Sequence, residues 1–208
     1  MKLLLSNLRP AVSLVLLSTL LLGLAYPLAL TAAGQALFPR QAGGSLIERD
    51  GRLVGSALIG QQFAAPQYLI GRPSAVGYDA ASSGGSNLGP SSAELLESVA
   101  RRVEDVRALD QGLPAVDRVT ASASGLDPHL WLPSALQQAE RIAARRGVHP
   151  DQVRALIENN LEGAYLGFVG EEVVNVLQVN LALDEAFPLA NEPGGDADGV
   201  RETTTSDD

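Results

Sequence analysis

The sequence predicts an α/β (or α+β) protein, with one N-terminal transmembrane helix followed by a small mixed-sheet soluble domain with about three helices. Three observations predict it: a long apolar run near the N-terminus, a hairpin turn signal soon after it, and helical periodicities that alternate with short β-branched runs.

No charged residue occurs between Arg9 and Arg40, and AVSLVLLSTLLLGLAYPLAL (11–30) gives 20 consecutive, mostly apolar positions. At 1.5 Å per residue such a helix spans roughly 30 Å, the hydrocarbon thickness of a bilayer. A cleaved signal peptide has an apolar region of about 7–15 residues that ends in an A-x-A-like site. This run is longer and Thr31-Ala32-Ala33 is a poor cleavage signal, so an uncleaved span over 11–31 is expected after a short tail, 1–10. Gly23 and Pro27 are tolerable within it if it packs against other helices. Lys2 and Arg9 precede the span while Arg40, Arg49 and Arg52 follow it, so the basic count alone does not set orientation. Long translocated domains weigh little in the positive-inside rule, and the tail carries no acid, which places the N-terminus in the cytoplasm and residues 45–187 outside it.

In the soluble part, IERDGRLVGSALIGQQF reads as two short strands around an Asp50-Gly51 turn. Residues 65–90 are rich in Gly, Pro, Ser, Tyr and Asn and read as one long loop, a length that in compact domains accompanies function or disorder. Ser91 and Glu94 form a capping box ahead of Leu95, Leu96, Val99, Val103, Val106 and Leu109, a helical repeat that Gly112 and Pro114 end. Residues 116–121 are a candidate strand. A second helix is expected over 134–146, with Pro133 in its first turn and Gly147 closing it, and a third from Pro150 with Val153, Leu156 and Ile157 on its apolar face. EVVNVLQVNL (172–181) alternates as a strand that places Val173, Leu177, Val179 and Leu181 on one face with Asn175. Residues 188–208 hold six acids, one arginine and almost no apolar side chain, and are expected to be a disordered acidic tail.

A net charge of -9, with Lys2 as the only lysine, repels phosphate backbones and argues against nucleic-acid partners. The lack of cysteine excludes disulfides, thiolate zinc sites and cysteine nucleophiles. No GxxxxGK[ST] phosphate loop occurs. The run Ser83-Gly84-Gly85-Ser86-Asn87 could offer successive amides to an anion, although glycines that merely admit positive φ are the plainer reading. Within ASASGLDPH, Ser122 or Ser124 with Asp127 and His129 supplies the residue types of a serine hydrolase, but a single short loop does not easily stack nucleophile, base and orienter, and no GxSxG elbow occurs. The stronger reading is structural: Gly125 turns the chain, the Asp127 carboxylate accepts from amides just beyond it, and His129 lies at the surface or at a partner interface. Two histidines without cysteine are a weak basis for a metal site, and no metal cofactor is expected. Tyr68, Arg72, Tyr78 and Trp131 have the composition of interface anchors.

Four motifs together, GSALIGQQF (55–63), GRPSAVGYDAASSGGSNLGP (71–90), VDRVTASASGLDPHL (116–130) and VNVLQVNLALDE (174–185), follow the single span. The combination resembles the C subunit of the bacterial Kdp-type potassium-transporting P-type ATPase. It covers the chain to about Glu185, departing at Ala123, where the family's TASGSGLDPH has glycine, and at Trp131, where a small polar residue is commoner. The resemblance implies a non-catalytic accessory subunit in the bacterial inner membrane, partnered by a potassium-selecting channel-like subunit and an ATP-hydrolysing P-type subunit. It also implies help in assembly and a catalytic-chaperone role that raises the ATP affinity of the hydrolysing subunit, with ATP as the associated nucleotide and potassium as the transported ion. The phosphorylation sequence DKTGT does not occur in this chain. A domain outside the cytoplasm cannot reach cytoplasmic ATP, so no residue is assigned to the nucleotide. Ser83, Gly84, Gly85, Ser86, Asn87, Asp127 and His129 are the candidate binding or partner-facing residues. Acids such as Glu171 and Glu172 near the mouth of the potassium-selecting subunit would raise the local cation concentration. The alternative is a membrane-anchored extracytoplasmic module whose SGGSN loop holds a small polar ligand.

Overall fold

The computed structural model describes residues 2–110, 112–163 and 169–189; the expected acidic tail lies, from residue 190 on, outside the described residues. At the N-terminus α1 (Lys2–Ser18), a π-helical stretch (Thr19–Ala25) and α2 (Tyr26–Leu37) run on from one another. Within them Asn7–Leu37, 31 residues, is long and apolar enough to cross a membrane, and none of it is buried inside the protein. The π stretch lies just ahead of Pro27, which has no N–H to return to the carbonyl of Gly23, and Tyr26 N–H reaches back five residues to Leu21 O.

One helical turn, α3 (Pro39–Ala42), leads into β1 (Leu46–Arg49) and β2 (Arg52–Ser56), which pair antiparallel. Asp50 (φ 53°) and Gly51 (φ 75°) are both left-handed, the two-residue turn whose twist suits a hairpin. Residues 57–92 contain no helix or strand: the loop expected over 65–90 is there, and it starts earlier than expected because β2 ends at Ser56 instead of running on through Leu58 and Ile59. Helix α4 (Ala93–Asp110) begins one residue later than the capping box proposed from the sequence: Leu95 N–H donates to Ser92 Oγ (3.4 Å), so Ser92 and not Ser91 is the cap.

Two segments expected as strands are helical. Residues 116–121 hold the short helix α5 (Val116–Val119), which buries Asp117, Arg118 and Val119 together. A strand would have sent Asp117 and Arg118 to opposite faces. Of EVVNVLQVNL only β5 (Val173–Asn175) is extended, and α9 (Val176–Ala186) follows at once. Asn175 Oδ1 accepts from Gln178 N–H (3.2 Å) and caps the helix. The apolar positions fit both periods, and the helical one wins because it sets Val176, Val179, Asn180 and Leu183 on one buried face. The helix expected over 134–146 is broken into α6 (Leu132–Leu136) and α7 (Ala139–Arg146), with Pro133 in the first turn of α6 and Gly147 (φ 68°) ending α7. Helix α8 (Pro150–Asn159) is as expected, capped by His149.

The second sheet has the order β3-β5-β4, with β3 (His129–Trp131) and β4 (Leu161–Glu162) both antiparallel to β5. Strands and helices are segregated, the α+β form of the expected class. The core lies between this sheet and α7, α8 and α9, where Leu130, Ile142, Val153, Ile157, Val174 and Leu183 are all essentially solvent-free.

Candidate functional site

Two loops meet on one side of the domain, and their backbones are joined directly. Gly84 N–H donates to Ser124 O (2.8 Å), as does the Ser83 hydroxyl (3.0 Å), while Ser122 N–H donates to Pro73 O (3.1 Å) and Ser74 Oγ to Gly125 O (2.6 Å). The SGGSN run therefore packs on the ASASG run. Gly125 is the residue this contact requires: its φ is +67°, and a Cβ there would stand 2.5 Å from Val76 Cγ2 and 2.6 Å from Gly84 O. Gly85 lies against the Ala123 backbone and Asn87 is left-handed at φ 53°.

The Asp127 turn forms as expected, with Oδ1 accepting from His129 N–H (3.0 Å), while Oδ2 pairs with Arg72 Nη1 (3.0 Å). His129 Nε2 lies 3.3 Å from Glu162 Oε2 and Nδ1 lies 3.8 Å from Asp127 Oδ1. A row of polar side chains, Arg72, Asp127, His129 and Glu162, thus links the long loop to strand β4. No serine joins it: Ser124 Oγ accepts from Leu126 N–H (3.1 Å), and Ser122 is buried. The triad order of nucleophile, base and orienter is not assembled.

Of the four proposed interface anchors, three turn inward. The Tyr78 hydroxyl donates to Arg72 O, and burial pushes its phenol above the usual range, with Asp127 adding to the effect and Arg72 opposing it. Tyr68 donates to Asp184 Oδ2 (3.2 Å) with its ring 5.1 Å from the Arg146 guanidinium, and Arg72 is taken up by Asp127. Trp131 alone of the four faces solvent.

The sequence reading missed the polar side chains that hold the long loop in place. Gln138 clamps Ile70 from both sides, accepting from its N–H (2.9 Å) and donating to its carbonyl (2.9 Å). Asn180 does the same to Leu69 (2.7 and 3.0 Å), and Asn175 Nδ2 donates to Ala57 O (2.8 Å). Arg141 donates to Pro66 O and Tyr68 O, and Arg146 to Gln67 O. Behind them Asp110 pairs with both Arg118 (2.9 Å) and Arg141 (2.5 Å), all three nearly solvent-free, and Asp117 accepts from Ser134 Oγ and Trp131 N–H. Burial lowers the Arg118 pKa, and the Asp110 carboxylate opposes that fall. The available signal was polar residues at core-facing positions, Gln138 just before α7 and Asn180 within the apolar helix α9 above all.

Two surface grooves lie among the described residues. One of about 530 Å³ lies between α8 and α9, lined in part by Gln152, Asn159, Asn160, Glu185 and Phe187, and one of about 280 Å³ is lined by Trp131, Pro133, Gly170, Glu171 and Glu172. No group of three or more metal-ligating side chains occurs among the described residues.

Compared with known proteins, residues 8–185 match the family described as "KdpC: K+-transporting ATPase, c chain". The chain belongs to the KdpC family. The KdpC match takes in the apolar helix together with the soluble elements through nearly all of α9. A protein named "Potassium-transporting ATPase KdpC subunit" from Polaromonas naphthalenivorans is 53% identical over 193 residues, covering 90% of this chain and 98% of its own. KdpC subunits of Caulobacter vibrioides (51%, 92% of this chain and 100% of theirs) and Mycobacterium tuberculosis (50%, 86% and 97%) are similar over the same extent. For the nucleotide that KdpC resemblance implies, neither groove fits: each offers glutamate and no Lys or Arg to a polyphosphate.

Proposed function

We propose that this chain is a single-pass, non-catalytic accessory subunit of a potassium-transporting ATPase complex, with its N-terminus in the cytoplasm and its folded domain outside. The observation that carries the reading is the family match, which spans a bare apolar helix and a small folded domain as one unit. A helix with no side chain buried in its own protein needs lipid or neighbouring helices around it. The partners are a potassium-selecting channel-like subunit and an ATP-hydrolysing P-type subunit, and the chain aids their assembly. The catalytic-chaperone effect on ATP affinity acts through the hydrolysing subunit, since neither groove here suits a polyphosphate.

Affinity purification of the tagged chain from potassium-starved membranes in mild detergent, followed by mass spectrometry, tests this. Both partner subunits should be recovered, and recovery of the chain alone would overturn it in favour of an anchored binding module. Because the chain is free of cysteine, Glu97→Cys on exposed α4 gives a single reporter of sidedness. It should react with a membrane-impermeant maleimide in spheroplasts.

A further inference from the structure

Three of the exposed large apolar side chains of the soluble domain lie on α5, on β3 and on the segment just before α5. Leu113 is 77% exposed, Val116 63% and Trp131 44%. The segments that carry them are fastened to one another: Asp117 accepts from Trp131 N–H (3.0 Å), and the Gln137 side chain bonds both Ala115 N–H (3.2 Å) and Leu113 O (3.4 Å). Trp131 also forms one wall of the smaller groove, whose rim carries Glu171 and Glu172. That wall is held in place, with Trp131 opposite Val173 in the sheet and Leu132 N–H donating to Glu172 O (3.0 Å). Neither glutamate has an ion-pair partner among the described residues, and no basic side chain lines the groove.

A fixed, half-exposed indole beside two unpaired carboxylates suits a cation laid on the ring with its charge met at the rim. We propose that this groove docks an extracytoplasmic segment of a partner subunit, one that lays a lysine or arginine on Trp131 and covers Leu113 and Val116 with apolar side chains. The inference rests on the accessory-subunit reading above and names the surface that reading uses. Charge complementarity selects this occupant. A leaflet of anionic headgroups would be repelled by Glu171 and Glu172, so a lipid surface does not suit the groove.

The test is a photo-crosslinking residue, Trp131→benzoylphenylalanine, in the full chain within the assembled membrane complex. The expected result is an adduct to a partner-subunit peptide containing Lys or Arg. Adducts only to lipid, only to a second copy of this chain, or none at all would overturn the proposal. In parallel, the double variant Glu171→Lys with Glu172→Lys alters only exposed side chains and so leaves the fold intact, and it should weaken partner retention by about tenfold or more. Trp131→Ala should weaken it by about 30-fold, the scale of an interface hot spot. Failure of the unsubstituted chain to recover any partner would sink the accessory-subunit reading. Recovery of partners by the unsubstituted chain and equally by both variants would sink the docking surface alone.

Discussion

Residues Asn7–Leu37 and the loop 57–92 are of similar length, and their backbones are satisfied in opposite ways. The first is helical, so its hydrogen bonds are local and its side chains are left facing outward with none buried. The second has no regular structure, and its backbone is bonded by side chains from α7 and the residue just before it, from β5 and from α9, at sequence separations of 68 for Gln138 and 111 for Asn180. The helix depends on the medium around it, whereas the loop depends on a few polar groups within the protein. A span can therefore tolerate much apolar exchange, while the loop has specific points of failure.

The sharpest way to break the contrast is Asp110→Ala, which leaves Arg118 and Arg141 buried without their carboxylate. A loss of about 3–5 kcal/mol in domain stability is expected, read by denaturant unfolding of the full chain in detergent, with membrane insertion unaffected. Leu21→Arg tests the other side. It should cost about 2.5–3.5 kcal/mol of insertion, read as the membrane-integrated fraction, and leave the folded domain unchanged. Next in size is Asn180→Leu, which keeps the approximate volume but orphans Leu69 N–H and O, at about 1–3 kcal/mol, with faster hydrogen exchange at the Leu69 amide. Equal exchange in variant and parent would show that the loop does not need the clamp.

The smallest effect concerns Asp79, whose carboxylate is held below its ordinary pKa by Ala81 N–H and then by the Ser82 hydroxyl. Its folded value lies below the unfolded one, so its contribution is complete above the usual carboxylate value and is lost as pH falls through the folded value. A carboxyl NMR titration should place Asp79 below the ordinary aspartate midpoint, and Ala81→Pro, which removes the donating N–H, should move it back up.

What the sequence made legible is what short-range patterns encode: the apolar span, the Asp50-Gly51 turn, the punctuation of residues 65–90 by Gly and Pro, and the periodic faces of α4 and α8. The errors arose where one segment satisfied two periods. In 172–181 the valines fit a strand as well as a helix, and the choice fell to the buried face of α9 and the Asn175 cap. In 116–121 a β-branched pair outweighed the need to bury Asp117 and Arg118 on one side, a need visible only once Asp110, Ser134 and Trp131 are in place. The Asp127 turn was readable because its bond is local, two residues long. The Gln138 and Asn180 clamps were not, because their partners are backbone groups, which carry no residue signature at all.

That arrangement also sets an order of events during synthesis. The apolar helix, the hairpin and the whole of residues 57–92 leave the ribosome before any of Gln138, Arg141, Arg146, Asn175 and Asn180 exists. At about 5–20 residues per second, the 111 residues between Leu69 and Asn180 take on the order of ten seconds. For that interval the N-terminal half of the domain is an unfastened chain that follows the apolar helix, and it closes only when its last third arrives.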